Sequence, residues 1–473
     1  MTRAEFLKIM GLGIASAAVA PSALARAEKV ADEATSAEAS KRILGNKAID
    51  LKAKVPQAVT VLILGAGQRG DVYASYAEQY PDCMKVVGVA DINPGRLKKM
   101  SDTHNVPADC RFSDWKDALA RPKFADAVVI ALPDNMHYEP AMKALDMGYH
   151  MLLEKPVAPT EAECVAIRDR ANEKGAIVGV CHVLRYAPYF VALKNVIDSG
   201  MIGQLVSVQH FEPIQYAHMA HSYVRGNWHN SKNCTPIILA KSCHDLDIIR
   251  WLVDSPCKSV AAYGDLTFFT PANRPEGATA RCTDGCPHES KCPYSAIDIY
   301  CNKNQHTYVF DDLPASGEER RRELLRRLAT TDYGRCVFAM DNDQCDHYVM
   351  SMEFDNGVTA SFAMEAFFAK GGRRTRLMGT HGSVEGDMKT FTITDFRTGE
   401  KTNWDSRHVK EVAKYAAHGH GGGDLSLARD FVNAVGNNDT SYLTSSIDVS
   451  IESHLMGFKA EESRLKDKKI AIS

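Results

Sequence analysis

Val61-Leu-Ile-Leu-Gly-Ala-Gly-Gln-Arg-Gly70 carries a run of buried-strand residues straight into G-x-G-x-x-G and then into helix-forming sequence. The pattern predicts a strand, a tight turn and a helix N-terminus, the arrangement that seats a dinucleotide pyrophosphate. Gly65 permits the turn, Gly67 lets the backbone approach a phosphate, and Gly70 lets helix and strand pack closely; Gln68 and Arg69 sit on the same turn. A second apolar run, Lys85-Val-Val-Gly-Val-Ala-Asp91, ends in a carboxylate 21 positions after Gly70, suited to a ribose 2′-hydroxyl. Ile92 follows, so a 2′-phosphate would meet repulsion without an adjacent counter-charge. That favours NAD, while Arg96 is the nearby cation through which NADP stays possible.

The alternation continues as a doubly wound parallel sheet requires. Ala125-Asp-Ala-Val-Val-Ile-Ala-Leu-Pro133 reads as a buried strand, residues 139–147 as a helix, and His150-Met-Leu-Leu-Glu-Lys-Pro156 as the next strand. Residues 162–174 are helical and Ile177-Val-Gly-Val-Cys-His-Val183 is a further strand, so residues 58–183 form one α/β nucleotide-binding domain. Pro133 and Pro156 end strands at their carboxyl edge, where open α/β sheets bind ligands. Leu132, Pro133, Asp134, Asn135, His137, Glu154 and Lys155 are therefore expected at the cofactor cleft.

Composition limits the rest. At 473 residues, 45% hydrophobic and 24% charged, the chain has room for two well-buried cores. A net charge of −3 with no dense basic block argues against nucleic acid, and Arg320 to Arg327 reads as the solvated face of a helix. Arg3 and Lys8 precede an apolar run from Ile9 to Ala20 with small-residue cleavage options, so residues 1–27 read as an export signal to the periplasm. Thr2-Arg-Ala-Glu-Phe-Leu-Lys8 is similar to a twin-arginine motif whose second arginine is Ala4. Nothing later supplies the roughly 20 apolar residues of a membrane span, and residues 28–57 read as a linker or loosely held helix.

Several motifs in one order carry a resemblance. Gly65-x-Gly67-x-x-Gly70, Leu132-Pro133 with His137, Glu154-Lys155-Pro156, Cys181-His-Val-Leu-Arg-Tyr186, His244-Asp-Leu-Asp247 before Trp251-Leu252, and Gly421-Gly-Gly-Asp424 together resemble the glucose-fructose oxidoreductase / inositol dehydrogenase / MocA family. The resemblance implies an N-terminal Rossmann domain and a C-terminal α/β domain, residues 184–473, with an open, mostly antiparallel sheet. It implies a sugar or polyol held between that sheet and the nicotinamide. It also implies that Lys155 positions or protonates the reacting oxygen and that His244 acts as acid/base. Chemistry agrees, because alcohol oxidation needs a hydride acceptor, a proton acceptor and a cation beside the developing alkoxide. One departure stands out: members often carry an aspartate four residues before the histidine, where this chain has Ala240, beside Lys241. Either another acid such as Glu212 or Asp245 replaces it or the proton relay differs, and Lys241 is a candidate to bind substrate directly.

Polar and aromatic residues crowd His210, Glu212, His218, His221, Tyr223, Arg225, Asn227, Trp228 and His229, the mixture a sugar site uses for hydroxyls and ring faces. Arg185, Tyr186 and, from a glycine-rich loop before the helix at 425–435, His420 join them as expected substrate contacts. Thirteen cysteines include Cys282, Cys286, Cys292 and Cys301 inside an insertion spanning about 265–345. Structural zinc, disulfides and unligated thiols are all open readings of these four. The functional expectation is an exported, homo-oligomeric nicotinamide-dependent oxidoreductase acting on a sugar, polyol or glycoside. The alternatives are an NAD-dependent glycosidase working through transient oxidation, and a non-catalytic sugar-binding protein.

Overall fold

The computed structural model describes residues 37–45, 50–415 and 419–472. The expected export signal, residues 1–27, lies outside them. The first sheet is parallel and six-stranded: β1 (Val59–Leu64), β2 (Met84–Ala90), β3 (Arg111–Phe112), β4 (Ala127–Ile130), β5 (His150–Leu153) and β6 (Val178–Val180), in the order β3-β2-β1-β4-β5-β6. Such strands are covered on both faces, and β1 shows it: Val59, Val61 and Ile63 enter one apolar core, whereas Leu62 and Leu64 enter another. Full burial of each of these side chains stabilises the fold by about 1.5–3 kcal/mol.

The second sheet has nine strands, β7 (Leu205–Gln215), β8 (Cys257–Asp265), β9 (His347–Phe354), β10 (Thr359–Phe368), β11 (Arg374–Gly379), β12 (Gly382–Gly386), β13 (Thr390–Asp395), β14 (Lys401–Asp405) and β15 (Ile470–Ala471). Their order is β14-β13-β12-β11-β7-β10-β9-β8-β15, with every pair antiparallel except β7 with β10. Alternation along β9, with Tyr348, Met350 and Met352 buried and Val349 and Ser351 exposed, shows one face covered and one open. Residues 266–346 lie between β8 and β9.

Two helices tie the units together. Gly423–Asn437 comes from the far end of the chain, yet its Leu427, Phe431 and Val432 pack with Val61, Ile63 and Tyr73 of the first domain. Ile447–Lys466 sends Ile447 and Ile451 into the other face of that sheet and Met456 and Ala460 into the second-domain core. The described part of the expected linker is docked as well: residues 37–44 are helical, Ile43 and Leu44 are buried in the second-domain core, and Trp404 Nε1 donates to the Ser40 carbonyl at 3.1 Å.

Candidate active site

At the turn after β1, Gly65 has φ +96°, and a Cβ there would stand 2.6 Å from the Ala131 carbonyl oxygen. Gly70 is tighter still, since its Cβ would lie 2.0 Å from the Gly65 carbonyl oxygen. Gly67 is open, with Arg96 Nη1 as the nearest atom at 3.7 Å, and it starts the helix Gln68–Gln79 without a side-chain cap. Uncapped amides at a helix N-terminus beside an open glycine fit a pyrophosphate. We expect Gly70→Ala to destabilise the protein by about 1–3 kcal/mol, because backbone must shift to admit the methyl group. Denaturant unfolding checks this, and an unchanged midpoint would show that the turn relaxes freely.

Asp91 follows β2 and accepts the amides of Ala66 and Asn93, both at 2.7 Å. Arg96 forms a two-pronged pair with Asp311 of the insertion, at 2.9 and 3.0 Å, and Asn93 Nδ2 donates to the same carboxylate at 3.0 Å. The insertion therefore reaches the nucleotide edge of the first domain, a contact that sequence reasoning missed because 215 positions separate the partners.

Leu132, Pro133 and Asn135 line the strand edge, with His137 beneath them. Its ring sits 2.8 Å from both the Leu132 and Pro156 carbonyl oxygens and clamps the turns after β4 and β5 together. Gln68 is exposed on the first turn, but Arg69 points inward, donating to Glu154 at 2.6 Å and Asp424 at 2.7 Å and pairing with Tyr73. Burial works against the Glu154 charge, yet Arg69 and Lys155 hold its carboxyl below the usual range. Glu154 and Arg69 thus act as a buried scaffold under the cofactor turn.

Lys155 Nζ donates to the Ala240 carbonyl at 3.0 Å, in the place where the expected aspartate would stand. The ammonium has three donors, so two remain for the cleft. His244 is 4% exposed and neither ring nitrogen has a partner among the described residues. Burial first, then the Lys155 charge, hold its pKa well below the ordinary histidine value, so the ring is neutral at pH 7. Behind it, His182 and Cys243 bring ring nitrogen and thiol within 4.8 Å of the His244 ring nitrogen. Burial pushes the Cys243 thiol up to about 12, which keeps it protonated.

His420 stands with its ring centroid 5.4 Å from that of His244, and its Nδ1 lies 3.3 Å from Asp424 Oδ2. The carboxylate expected beside His244 is therefore beside His420. Neither Glu212 nor Asp245 replaces it, because both are engaged elsewhere. Glu212 takes Lys241 at 2.8 Å, Arg373 at 2.7 Å and Ser242 Oγ at 2.8 Å, and Asp245 takes Arg373 at 2.9 Å and His210 Nε2 at 2.9 Å. Burial alone would raise the Asp245 carboxyl, but Arg373 and His210 hold it far below the usual range. Arg373, on no motif, is the organising cation of this wall. Tyr223 and His218 lie beside it, with Trp228 6.3 Å from Tyr223 ring to ring.

Four expected substrate contacts point elsewhere. Arg185 grips Asp247 at 2.6 and 2.7 Å, and Tyr186 OH bonds Ser445, so both serve the packed interior. His221 stacks on His306 at 4.5 Å and contacts Tyr300 OH at 2.6 Å; burial takes its pKa down to about 3. Arg225 turns toward the cysteines. Of the three readings of the insertion cysteines, zinc and disulfides gain no support: no three of the Cys282, Cys286, Cys292 and Cys301 sulfurs lie within 4.8 Å of one another, and all thirteen cysteines are free of disulfides. A tetrahedral zinc–sulfur bond of about 2.3 Å sets sulfurs about 3.8 Å apart.

The fold and the turn define a nucleotide-dependent oxidoreductase, and the chain belongs to the Gfo/Idh/MocA oxidoreductase family. Residues 59–182 match the family's NAD-binding Rossmann fold and residues 194–462 its C-terminal alpha/beta domain. The Bacillus subtilis protein YteT is 26% identical over 369 residues, covering 75% of this chain and 83% of its own. Inositol 2-dehydrogenase of Salmonella typhimurium is 28% identical over 207 residues, 42% of this chain and 56% of that protein. A levoglucosan dehydrogenase solved with NADH and levoglucosan shares the fold, at TM-score 0.64 and 18% identity, over 88% of this chain and 100% of that one.

Proposed function

We propose that this protein transfers hydride between NAD and a ring hydroxyl or ketone of a sugar, polyol or glycoside. The observation that carries the reading is the meeting of Lys155, His244 and the His420–Asp424 pair at the carboxyl edge of the parallel sheet, near Glu212, Lys241 and Arg373. Bound NAD supplies the hydride-accepting carbon. Lys155 steadies the developing alkoxide with its free donors, and the neutral His244 ring accepts the hydroxyl proton. Glu212, fixed by two cations, accepts from substrate hydroxyls, and Tyr223 and Trp228 offer an aromatic border. The levoglucosan and inositol dehydrogenases among the relatives support a polyhydroxylated substrate.

The cofactor preference we assign is NAD over NADP. Asp91 and Asp311 together place two carboxylates around the ribose edge, and Asp311 neutralises Arg96. Asp91→Ser combined with Ile92→Arg should move the preference toward NADP by about tenfold or more, some 1.4 kcal/mol, in paired binding titrations. Tighter NADP than NAD binding by the unmodified protein would sink the assignment.

A second reading has its own support. Cleaving a glycoside through transient oxidation needs a group to remove a proton beside the ketone and another to protonate the leaving oxygen. His420 with Asp424 adds such a group beyond Lys155 and His244. Export, the reading we give residues 1–27, would suit an enzyme that regenerates its own NAD at each turnover. The open face of the nine-stranded sheet, with Tyr263 and Val349 exposed, supports a homo-oligomer. Mass spectrometry of the native protein for bound NAD, followed by a glycoside screen with and without an added electron acceptor, tests both readings. Product formation only with acceptor supports the dehydrogenase, release of free sugar without acceptor supports the glycosidase, and neither on any polyhydroxylated compound defeats both.

A further inference from the structure

The insertion holds a cavity lined by Arg225, Cys282, Cys286, His288, Cys292 and Cys336. Cys336, far from the other three in sequence, is pinned there by backbone pairing: Arg281 bridges Arg335, Cys282 N donates to the Gly334 carbonyl at 3.0 Å, and Cys336 N donates to the Ala280 carbonyl at 2.9 Å. Cys301, on the helical turn Ile297–Asn302, does not line the cavity.

Two independent features ask for an anion there. Arg225 is 2% exposed and donates to the Arg335 carbonyl at 2.7 Å and the Tyr294 carbonyl at 2.8 Å, with Cys282 Sγ 3.8 Å away. Its Nη1 has no partner among the described residues and no carboxylate pairs with it, so a buried cation stands beside cysteine sulfur without a counter-charge. Leaving such a charge uncompensated costs several kcal/mol. The second feature is the direction of the backbone. The Ala296 amide donates to Cys282 Sγ at 3.4 Å, inside the cavity that Cys286, Cys292 and Cys336 also line. An amide aimed at sulfur stabilises metal-bound thiolate, and a four-thiolate cluster carries the net negative charge that Arg225 lacks as a partner.

The spacing disfavours a single zinc ion. No three of these four sulfurs fall within 4.8 Å of each other, whereas one tetrahedral zinc would hold them about 3.8 Å apart. A cluster of several irons bridged by sulfide spreads its thiolate ligands more widely. We propose that Cys282, Cys286, Cys292 and Cys336 ligate an iron–sulfur cluster, with Arg225 as its buried counter-cation. The cluster braces the insertion whose Asp311 closes over Arg96 at the nucleotide edge.

The test is the full-length protein produced and purified without oxygen, then assayed for iron and acid-labile sulfide. We expect iron and sulfide in equal numbers, about two or about four of each per chain, with a visible absorption that bleaches on dithionite. Cys336→Ser should lose at least about nine-tenths of the iron even after reconstitution with ferrous iron and sulfide, whereas Cys301→Ser should keep it, since only the former removes a ligand. If Cys336→Ser is recovered only as aggregate, the content of the unmodified protein decides. Fewer than about one iron per chain after reconstitution, one zinc in place of iron, or a disulfide among the four overturns the proposal. Equal loss from Cys301→Ser overturns the ligand set.

Discussion

Lys155→Met should lower turnover by about two to four orders of magnitude while NAD affinity stays within a few fold. The substitution keeps most of the side-chain length and removes the charge. The ammonium is held by one bond, 3.0 Å to the Ala240 carbonyl, and has no ion-pair partner among the described residues. Beyond its pull on Glu154 and His244, its charge is left for whatever oxygen sits in the cleft. A cation acting on a developing alkoxide contributes more in the transition state than in the ground state, so kcat should fall further than KM rises. The nucleotide turn does not depend on it, because Arg69, Glu154 and Tyr73 bond one another beneath that turn. Pre-steady-state hydride transfer on a verified substrate measures the effect. A rate within about threefold of the unmodified enzyme would remove Lys155 from the chemistry and direct attention to Lys241.

What the sequence reveals of this site follows the range of the interactions involved. The strand, glycine turn and acidic strand end around Gly65 and Asp91 are legible because each rests on local periodicity and on glycines with local jobs. Lys155 is legible for the same reason, as a lysine at a strand's carboxyl edge. The residues that complete the site come from far away in the chain. Arg373 reaches Glu212 across 161 positions and Asp245 across 128, and Asp424 reaches Arg69 across 355. No pattern within one segment predicts such pairs. Arg185, Tyr186 and Arg225 are read as substrate contacts from their residue type, yet burial decides otherwise: each sits where folding needs a donor. Arg185 meets Asp247, and Arg225 faces thiols. Distance in the chain also hides Cys336, which joins the other cysteines where backbone pairing between Arg281 and Arg335 brings two loops together.

His244→Asn should cost a similar two to four orders of magnitude in turnover, with a signature in pH that Lys155→Met lacks. The His244 ring is buried with both nitrogens unpartnered, and burial together with Lys155 holds its pKa well below the ordinary 6.5. A neutral ring at pH 7 is a proton acceptor, so the acid limb of kcat/KM should lie below pH 6.5 in the unmodified enzyme and disappear in the variant. Stability should move in a related way. The native state binds this proton only at lower pH than the unfolded chain does, so between pH 6.5 and the depressed folded value the unfolded state holds more protons. Stability then falls as pH falls through that window. Asn carries no such proton, so the variant should lose less stability than the parent on acidification from pH 7 to pH 5. The neighbouring pair supplies the rival explanation, because His420 already has Asp424 at 3.3 Å to orient it and steady its charge. If His244→Asn turns over at near the parent rate while His420→Asn does not, proton transfer belongs to the His420–Asp424 pair and His244 only shapes the cleft.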